Sequence, residues 1–291
     1  MNTGIHSASR FAVAGATMAV LLLSGSADAQ THRVEKHFAV QGNPVVTVQN
    51  AAGHIQVKAW DKHEVMIVGN SATNSVEVDT EQVGNRIEVV TRVTAEHPSP
   101  ADIQTDYEVS VPTESELQIR TDSGGVTVDS VHGDMSFDTV AADLALQDVA
   151  GYVMIKSIAG SLVCTRCAGR LDATSISGNF QLIQPVMNDV RVQTSSGNIL
   201  FDGDFQSRGI YILKNYSGTI EVRFSSNDSF DVNAASLYGN VINQAPVVPD
   251  RHQMPAPRSN MAKSLFGSLN EGHAKVELSS FSGTIKILKR E

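Results

Sequence analysis

Cys164 and Cys167 stand in the spacing of a redox or zinc-binding pair. A redox Cys-x-x-Cys draws its low thiol pKa from a helix N-terminus, and the residues around this pair read as strand. A structural zinc site wants four ligands, and two cysteines are all that the 291 residues contain. Both therefore read as small core residues. A bend at Thr165-Arg166 would bring their Cα atoms within disulfide range, so a Cys164–Cys167 bond is a separate possibility that an oxidising compartment permits. The nine histidines form no His-x-His or His-x-x-x-His pair, and read as scattered surface residues. Asp129, Asp134, Asp138, Asp143, Asp148 and Asp172 fall at positions expected to point outward. Two or three of them converging would suit a polysaccharide lyase or hydrolase. Spread out, they keep a sheet face soluble.

Asp122-Ser123-Gly124-Gly125 is similar to the nucleophile segment of chymotrypsin-like proteases. Thr121 precedes it where that family has glycine, and Val126 follows where it has proline. The tetrapeptide also sits on a repeat corner, so the structural reading is preferred, and no Gly-x-Ser-x-Gly elbow occurs elsewhere. The sequence thus names no catalytic, cofactor-binding or metal-binding residue. The only site-like pair is the cysteines.

What must position these residues is a repeat. Taking Gly124, Gly133, Ala142, Gly151, Gly160 and Gly169 as starts, nine residues apart, the residues two on are Val126, Met135, Leu144, Val153, Leu162 and Leu171. Four on come Val128, Phe137, Leu146, Ile155, Cys164 and Ala173; seven on come Val131, Val140, Val149, Ile158, Cys167 and Ile176. All are apolar. Positions two apart share one face of a strand, so +2 and +4 face a core, +1, +3 and +5 face out, and a bend at +5 and +6 is expected to swing +7 back inside. Ser-Gly recurs at Ser123-Gly124, Ser177-Gly178, Ser196-Gly197 and Ser217-Gly218. The first gap is three times eighteen residues, so one coil should hold two nine-residue strands.

The expected fold is all-β: a flattened β-solenoid of β-helix or β-roll type, of either hand, with two facing sheets and coils ~4.8 Å apart. A stack of short hairpins has the same in-out pattern and stays open. The beat continues at Asn188, Gly197, Gly209 and Gly218, breaks over the proline-rich residues 244–260, and returns at Gly272 and Gly283 as the expected closing strands. Residues 30–116 also read as strands (Val45–Val48, Ile55–Val57, Val65–Val68, Val76–Val78, Ile87–Val93, Tyr107–Val111) and are expected to form an N-terminal β-region capping a solenoid over 117–291. The calcium-binding nonapeptide rolls need Gly-Gly-x-Gly-x-Asp in successive coils, which these units lack, and no outward Thr-x-Thr ladder occurs.

Residues 1–29 fit a secretory signal peptide: Arg10, an apolar stretch Phe11–Leu23, then Ala27-Asp28-Ala29 as a cleavage site. Thirteen helical residues span roughly 20 Å, short of the ~30 Å hydrocarbon core, so a retained anchor is the weaker reading. No cysteine follows the cut and no later stretch suits a membrane span. The expected product starts at Gln30 and is exported to the periplasm, cell surface or exterior. A net charge of −9 argues against nucleic acid as a partner. With 5% aromatic residues and Trp60 as the lone tryptophan, an aromatic sugar-binding platform is not expected.

Gly53-His54-Ile55-Gln56-Val57-Lys58-Ala59-Trp60-Asp61 with Val65, the Tyr107–Pro112 strand end and the Ser-Gly-x-apolar-x-apolar repeats through Gly283 together resemble the bacterial candidate-adhesin family of secreted β-strand-repeat proteins. The resemblance spans most of the chain and implies export and a repetitive β fold. It carries no catalytic residues. The reading is therefore an exported, non-catalytic binding or scaffold protein of the cell envelope, without cofactor, whose partner could be a polysaccharide or an envelope protein. The alternative is a carbohydrate-active β-helix enzyme working through outward carboxylates.

Overall fold

Val126 and Val128, Met135 and Phe137, Leu144 and Leu146, and Val153 and Ile155 are all buried, because each pair lies two apart on one face of an extended chain. The computed structural model describes residues 32–249 and 263–290, and among them every regular element is a strand. The leader segment 1–29 and the part of the proline-rich stretch beyond 249 lie outside the described residues.

Glu116–Asp129 runs along one sheet, turns at Gly124 and continues along a second. Met135–Gln147 lies beside it in parallel, Leu117 next to Met135 and Val126 next to Leu144. The next coils are Ala150–Ala159 with Leu162–Thr165, Ala168–Ser177 with Phe180–Ile183, Val186–Ser196 with Ile199–Asp202, and Ile210–Ser217 with Thr219–Phe224. Each ladder between these coils is parallel. Stacked hairpins would pair antiparallel, so the chain is a β-solenoid with two strands per coil.

Upstream, Val45–Trp60 is itself a full coil, in register with Glu116–Asp129 from Val45 beside Glu116 to Lys58 beside Asp129. The ladder therefore runs through position 116 without a break. Arg86–Val93 and Thr105–Pro112 add one more parallel layer. Antiparallel strands Val76–Val83, Glu64–Ser71 and His32–Ala39 then cover that end.

The far end departs from the expected order. Ala274–Ser280 and Thr284–Lys289 do not close the stack. They pair in parallel with Ile210–Phe224 on one side and with Phe230–Ser236 and Asn240–Asn243 on the other. The last coil in space is thus Phe230–Asn243, capped by antiparallel Lys263–Leu269. The chain steps over one coil position and later fills it.

The +7 residues also divide. Val131, Val149 and Cys167 are buried, whereas Val140, Ile158 and Ile176 are 44%, 50% and 57% exposed. The two corners of each coil differ. At one, Ser130, Asp148 and Arg166 adopt positive φ and turn the following residue inward. At the other, a polar residue takes the inward position: Thr121, Thr139, Ser175 and Thr194 are buried there. At Thr121, Ser175 and Thr194 the hydroxyl serves backbone carbonyls near the corner, as where Thr194 Oγ1 donates to Gly178 O (3.4 Å), and Ser236 Oγ donates likewise to Gly283 O (2.7 Å), whereas Thr139 Oγ1 is buried without a partner among the described residues. Buried carbonyls need such donors, and alternation then sends the next residue outward, which is how Val140 and Ile176 come to be exposed.

Candidate functional site

In-register parallel coils put equivalent outward side chains side by side at ~4.8 Å intervals. On the first sheet one row runs Glu116, Asp134, Tyr152, Arg170, Asp189; a second runs Thr47, Gln118, Ser136, Met154, Asp172, Arg191. A third runs Gln49, Arg120, Asp138, Lys156, Thr174, Gln193. Thr47 and Ser136 are short, and the longer Arg86, Glu88, Tyr152 and Met154 stand around them. The result is a depression of about 650 Å³ on the outer face.

Its walls are linked. Gln49 Nε2 donates to Glu88 Oε1 (3.0 Å) and Gln118 Nε2 to Glu116 Oε1 (2.9 Å). Arg120 and Lys156 flank Asp138 along the third row, so charge alternates from coil to coil. Beyond the depression, Asp189 lies 3.4 Å from Arg170 Nε and 3.2 Å from Arg191 Nε, and the Arg170 guanidinium lies 5.0 Å from the Tyr152 ring centre. The surface offers donors, acceptors and both charges at fixed spacing, as a site for a polar, extended ligand requires.

The outward aspartates part company. Asp134 and Asp138 line the depression with Glu116, and Asp172 lies on the same sheet, a coil beyond Met154. Asp143 is on the second sheet and accepts the Ser161 backbone N–H (2.7 Å). Asp129 accepts the Ser130 hydroxyl (2.7 Å). Asp148 grips Arg166 through two bonds of 2.6 Å, and these hold its carboxyl below the usual range. Within the depression, Asp134 and Asp138 sit four residues apart on one strand, ~13 Å, wider than the ~5–9.5 Å of paired glycosidase carboxyls. Glu116 and Asp134 are row neighbours on adjacent coils, their backbones ~4.8 Å apart.

Cys164 and Cys167 are fully buried, their sulfurs in bonding contact and their Cα atoms 5.9 Å apart. Arg166, at positive φ between them, makes the bend that directs both inward, so neither presents a thiol to the surface. Ser123 stands at the polar-lined corner beside Ala52 and Ala141, the position that Ser177, Ser196 and Ser217 take in later coils. Among the described residues, no three His, Cys, Asp or Glu side chains form a group that could hold a metal ion. Asp228 is a buried carboxylate at the Ser225–Asp228 turn. Burial raises its pKa, and the backbone N–H groups of Ser225 (2.8 Å) and Phe205 (3.1 Å) oppose the rise. It pins a loop and faces no cavity described above.

Sequence reasoning missed the depression. The signal was present: written in lines of eighteen, Arg120, Asp138 and Lys156 fall in one column.

A family model described as Toastrack DUF4097 matches residues 24–288. No curated protein matches the chain. Among solved structures, a candidate adhesin from Bacteroides fragilis is 11% identical, covering 88% of this chain and 97% of its own, with a TM-score of 0.50. A candidate adhesin from Parabacteroides merdae is 7% identical over 89% of this chain and 96% of its own, with a TM-score of 0.38.

Proposed function

The chain belongs to the Toastrack DUF4097 family, and from that premise we propose that it is an exported, non-catalytic β-solenoid that binds at the cell envelope or outside it, as an adhesin-like module or a scaffold. The observation that carries this is the depression on the first sheet, where the backbone ladder fixes rows of polar groups. A rigid row loses little freedom on binding, and its regular spacing suits a polymer with repeating polar units. A polysaccharide is the favoured partner, with an envelope protein next. Export rests on the Arg10 to Ala29 leader pattern and on a core-held cysteine pair that an oxidising compartment would bond. The fold shared with the Bacteroides fragilis candidate adhesin agrees with this reading. Among the described residues no helix is long and apolar enough to cross a membrane.

Glu116 beside Asp134 favours one second reading, a carbohydrate-active enzyme using that pair. A single experiment separates the two. Purified residues 30–291 are incubated with a panel of polysaccharides that includes peptidoglycan, and both retention and newly released reducing or unsaturated ends are scored. Retention without products, abolished by filling the depression with Ser136→Arg, supports binding. Product release that Glu116→Gln stops overturns the non-catalytic reading. Neither retention nor release removes polysaccharide as the partner.

A further inference from the structure

The polar-lined corner carries an outward ridge that the depression does not involve. Equivalent positions along it are Val140, Ile158, Ile176, Ser195, Tyr216 and Phe281, from coils successively adjacent in space. Leu237 and Tyr238 complete it. Tyr216 and Tyr238 are 57% and 56% exposed, Phe281 37%. The rings of Tyr216 and Phe281 stack at 4.3 Å with 11° between their planes, and Tyr238 packs edge-on against Phe281 at 4.9 Å. Three of the chain's few aromatic side chains therefore meet on one exposed corner, contrary to the expectation drawn from composition.

Phe281 covers one face of Tyr216. The other face looks back along the stack to the next position, which holds Ser195. Ser195 is too small to cover a ring, and Ile176 stands one coil further. The ridge thus has a notch two coil steps wide, ~9.6 Å between Ile176 and Tyr216. A ring over Ser195 would sit ~4.8 Å from Tyr216, close to the spacing at which Phe281 already stacks on the opposite face. Ser177, Ser195 and Ser196 are exposed around the notch, and the Ser195 and Ser196 hydroxyls have no protein hydrogen-bond partner among the described residues. No charged residue occurs at the corner positions from Val140 and Ala141 through Leu237 and Tyr238, on a chain whose net charge is −9.

We propose that the notch between Ile176 and Tyr216, floored by Ser195, binds one uncharged sugar ring of a glycan. The apolar C–H face of a pyranose matches the free face of Tyr216, as an aromatic ring would. Its edge hydroxyls pair with the serines, which a phenyl or phenol side chain would leave unpaired. The lack of charge selects a neutral sugar over an acidic or amino sugar. This rests on the binding reading above and assigns it a second contact point, on the corner, with a defined sugar class.

The test uses residues 30–291 and soluble neutral hexasaccharides of gluco, manno, galacto and N-acetylglucosamine configuration, followed by saturation-transfer NMR and titration calorimetry. Wild type is expected to bind at least one. Tyr216→Ala, which removes the stacking face, and Ser195→Trp, which fills the notch, should each weaken binding about tenfold or more, while Tyr216→Phe stays within roughly twofold. Both positions are exposed, and circular dichroism verifies folding. Equal binding by wild type and Tyr216→Ala overturns the notch and leaves the binding reading standing. Wild type binding none of the four overturns the sugar assignment, as does binding of a tyrosine-bearing peptide in their place. Failure of the broader reading shows separately, as loss of retention on every polysaccharide.

Discussion

Gly160→Ala tests whether the corner geometry sets the coil register. Gly160 has φ +130°, and a Cβ there would lie 2.2 Å from the backbone oxygen of Ala142 in the neighbouring coil. That φ belongs to a region nearly closed to other residues, at ~1–3 kcal/mol. The clash needs the two coils to part by about 1 Å, which stretches the adjacent bonds Leu144 N–H to Ser161 O (2.8 Å) and Ser161 N–H to the Asp143 carboxylate (2.7 Å). At about 1 kcal/mol net each, the whole loss is about 3–5 kcal/mol. For a chain of this size that lowers the melting temperature by roughly 10 °C. Gly84→Ala is the control: its φ is +61°, nothing lies within 4 Å of its Cβ, and its expected cost is about 1 kcal/mol. Urea unfolding followed by circular dichroism and Trp60 emission measures both. Equal shifts for the two variants would show that the glycine file does not hold the coils together, and the reasoning from corner contact to fixed outward rows would fail.

The remaining predictions concern chemistry at other points of the stack. We propose that Cys164 and Cys167 are bonded in the exported protein. Denatured, unreduced protein should then show no titratable thiol, rising to two after reduction. The four-residue ring is worth about 2 kcal/mol in the chain-entropy account, so a Cys164→Ala/Cys167→Ser double variant should lose about that in urea. Free thiols before reduction would refute the bond. Burial pushes the phenols of Tyr107 and Tyr211 up to about 12. Their folded pKa lies above the unfolded value near 10, so the stability they contribute is complete below about pH 10 and lost as pH rises through about 12. A phenolate absorbance titration should show a late step of two among the five tyrosines, and its absence from folded protein would contradict the burial. Removing residues 274–291 empties the slot between Ile210–Phe224 and Phe230–Asn243 and should abolish cooperative unfolding; a truncated chain of undiminished stability would refute the inserted coil.

The nine-residue beat was readable because one physical rule governs every unit. Val126 and Val128 in one coil, and Leu171 and Ala173 two and a half coils later on the other sheet, answer the same demand for two inward residues on a short strand. The eighteen-residue coil followed from the Ser-Gly spacing, since the Ser-Gly pair recurs at only one of the two corners, although glycines pack against the preceding coil at both, as Gly160 does on Ala142 and Gly151 on Gly133. The error at +7 came from treating both corners alike. Thr139, Ser157 and Ser175, each one residue before the exposed apolar side chain, already marked the difference: a polar residue held inside leaves its successor no place but outside. The depression was less legible, because a row is a relation between residues eighteen apart, and neither Arg120 nor Lys156 stands out alone.

The aromatic corner was hidden for a different reason. Tyr216 and Phe281 are 65 residues apart, and they stack only because Ala274–Lys289 enters the solenoid beside Ile210–Phe224 rather than at the end. In chain order, the coil after Ile210–Phe224 is Phe230–Asn243, which would set Leu237 and Tyr238 next to Tyr216. Insertion of the later strands places Phe281 between them, turning separate side chains into a continuous stack with one free face. The same step that completes the core therefore builds the notch. A chain lacking the inserted coil would lose both together, whereas Phe281→Ala should spare the core, since Phe281 points outward, and should leave Tyr216 without the ring that holds its plane. Sugar binding that survives Tyr216→Phe yet falls in Phe281→Ala would tie recognition to the order in which the coils assemble.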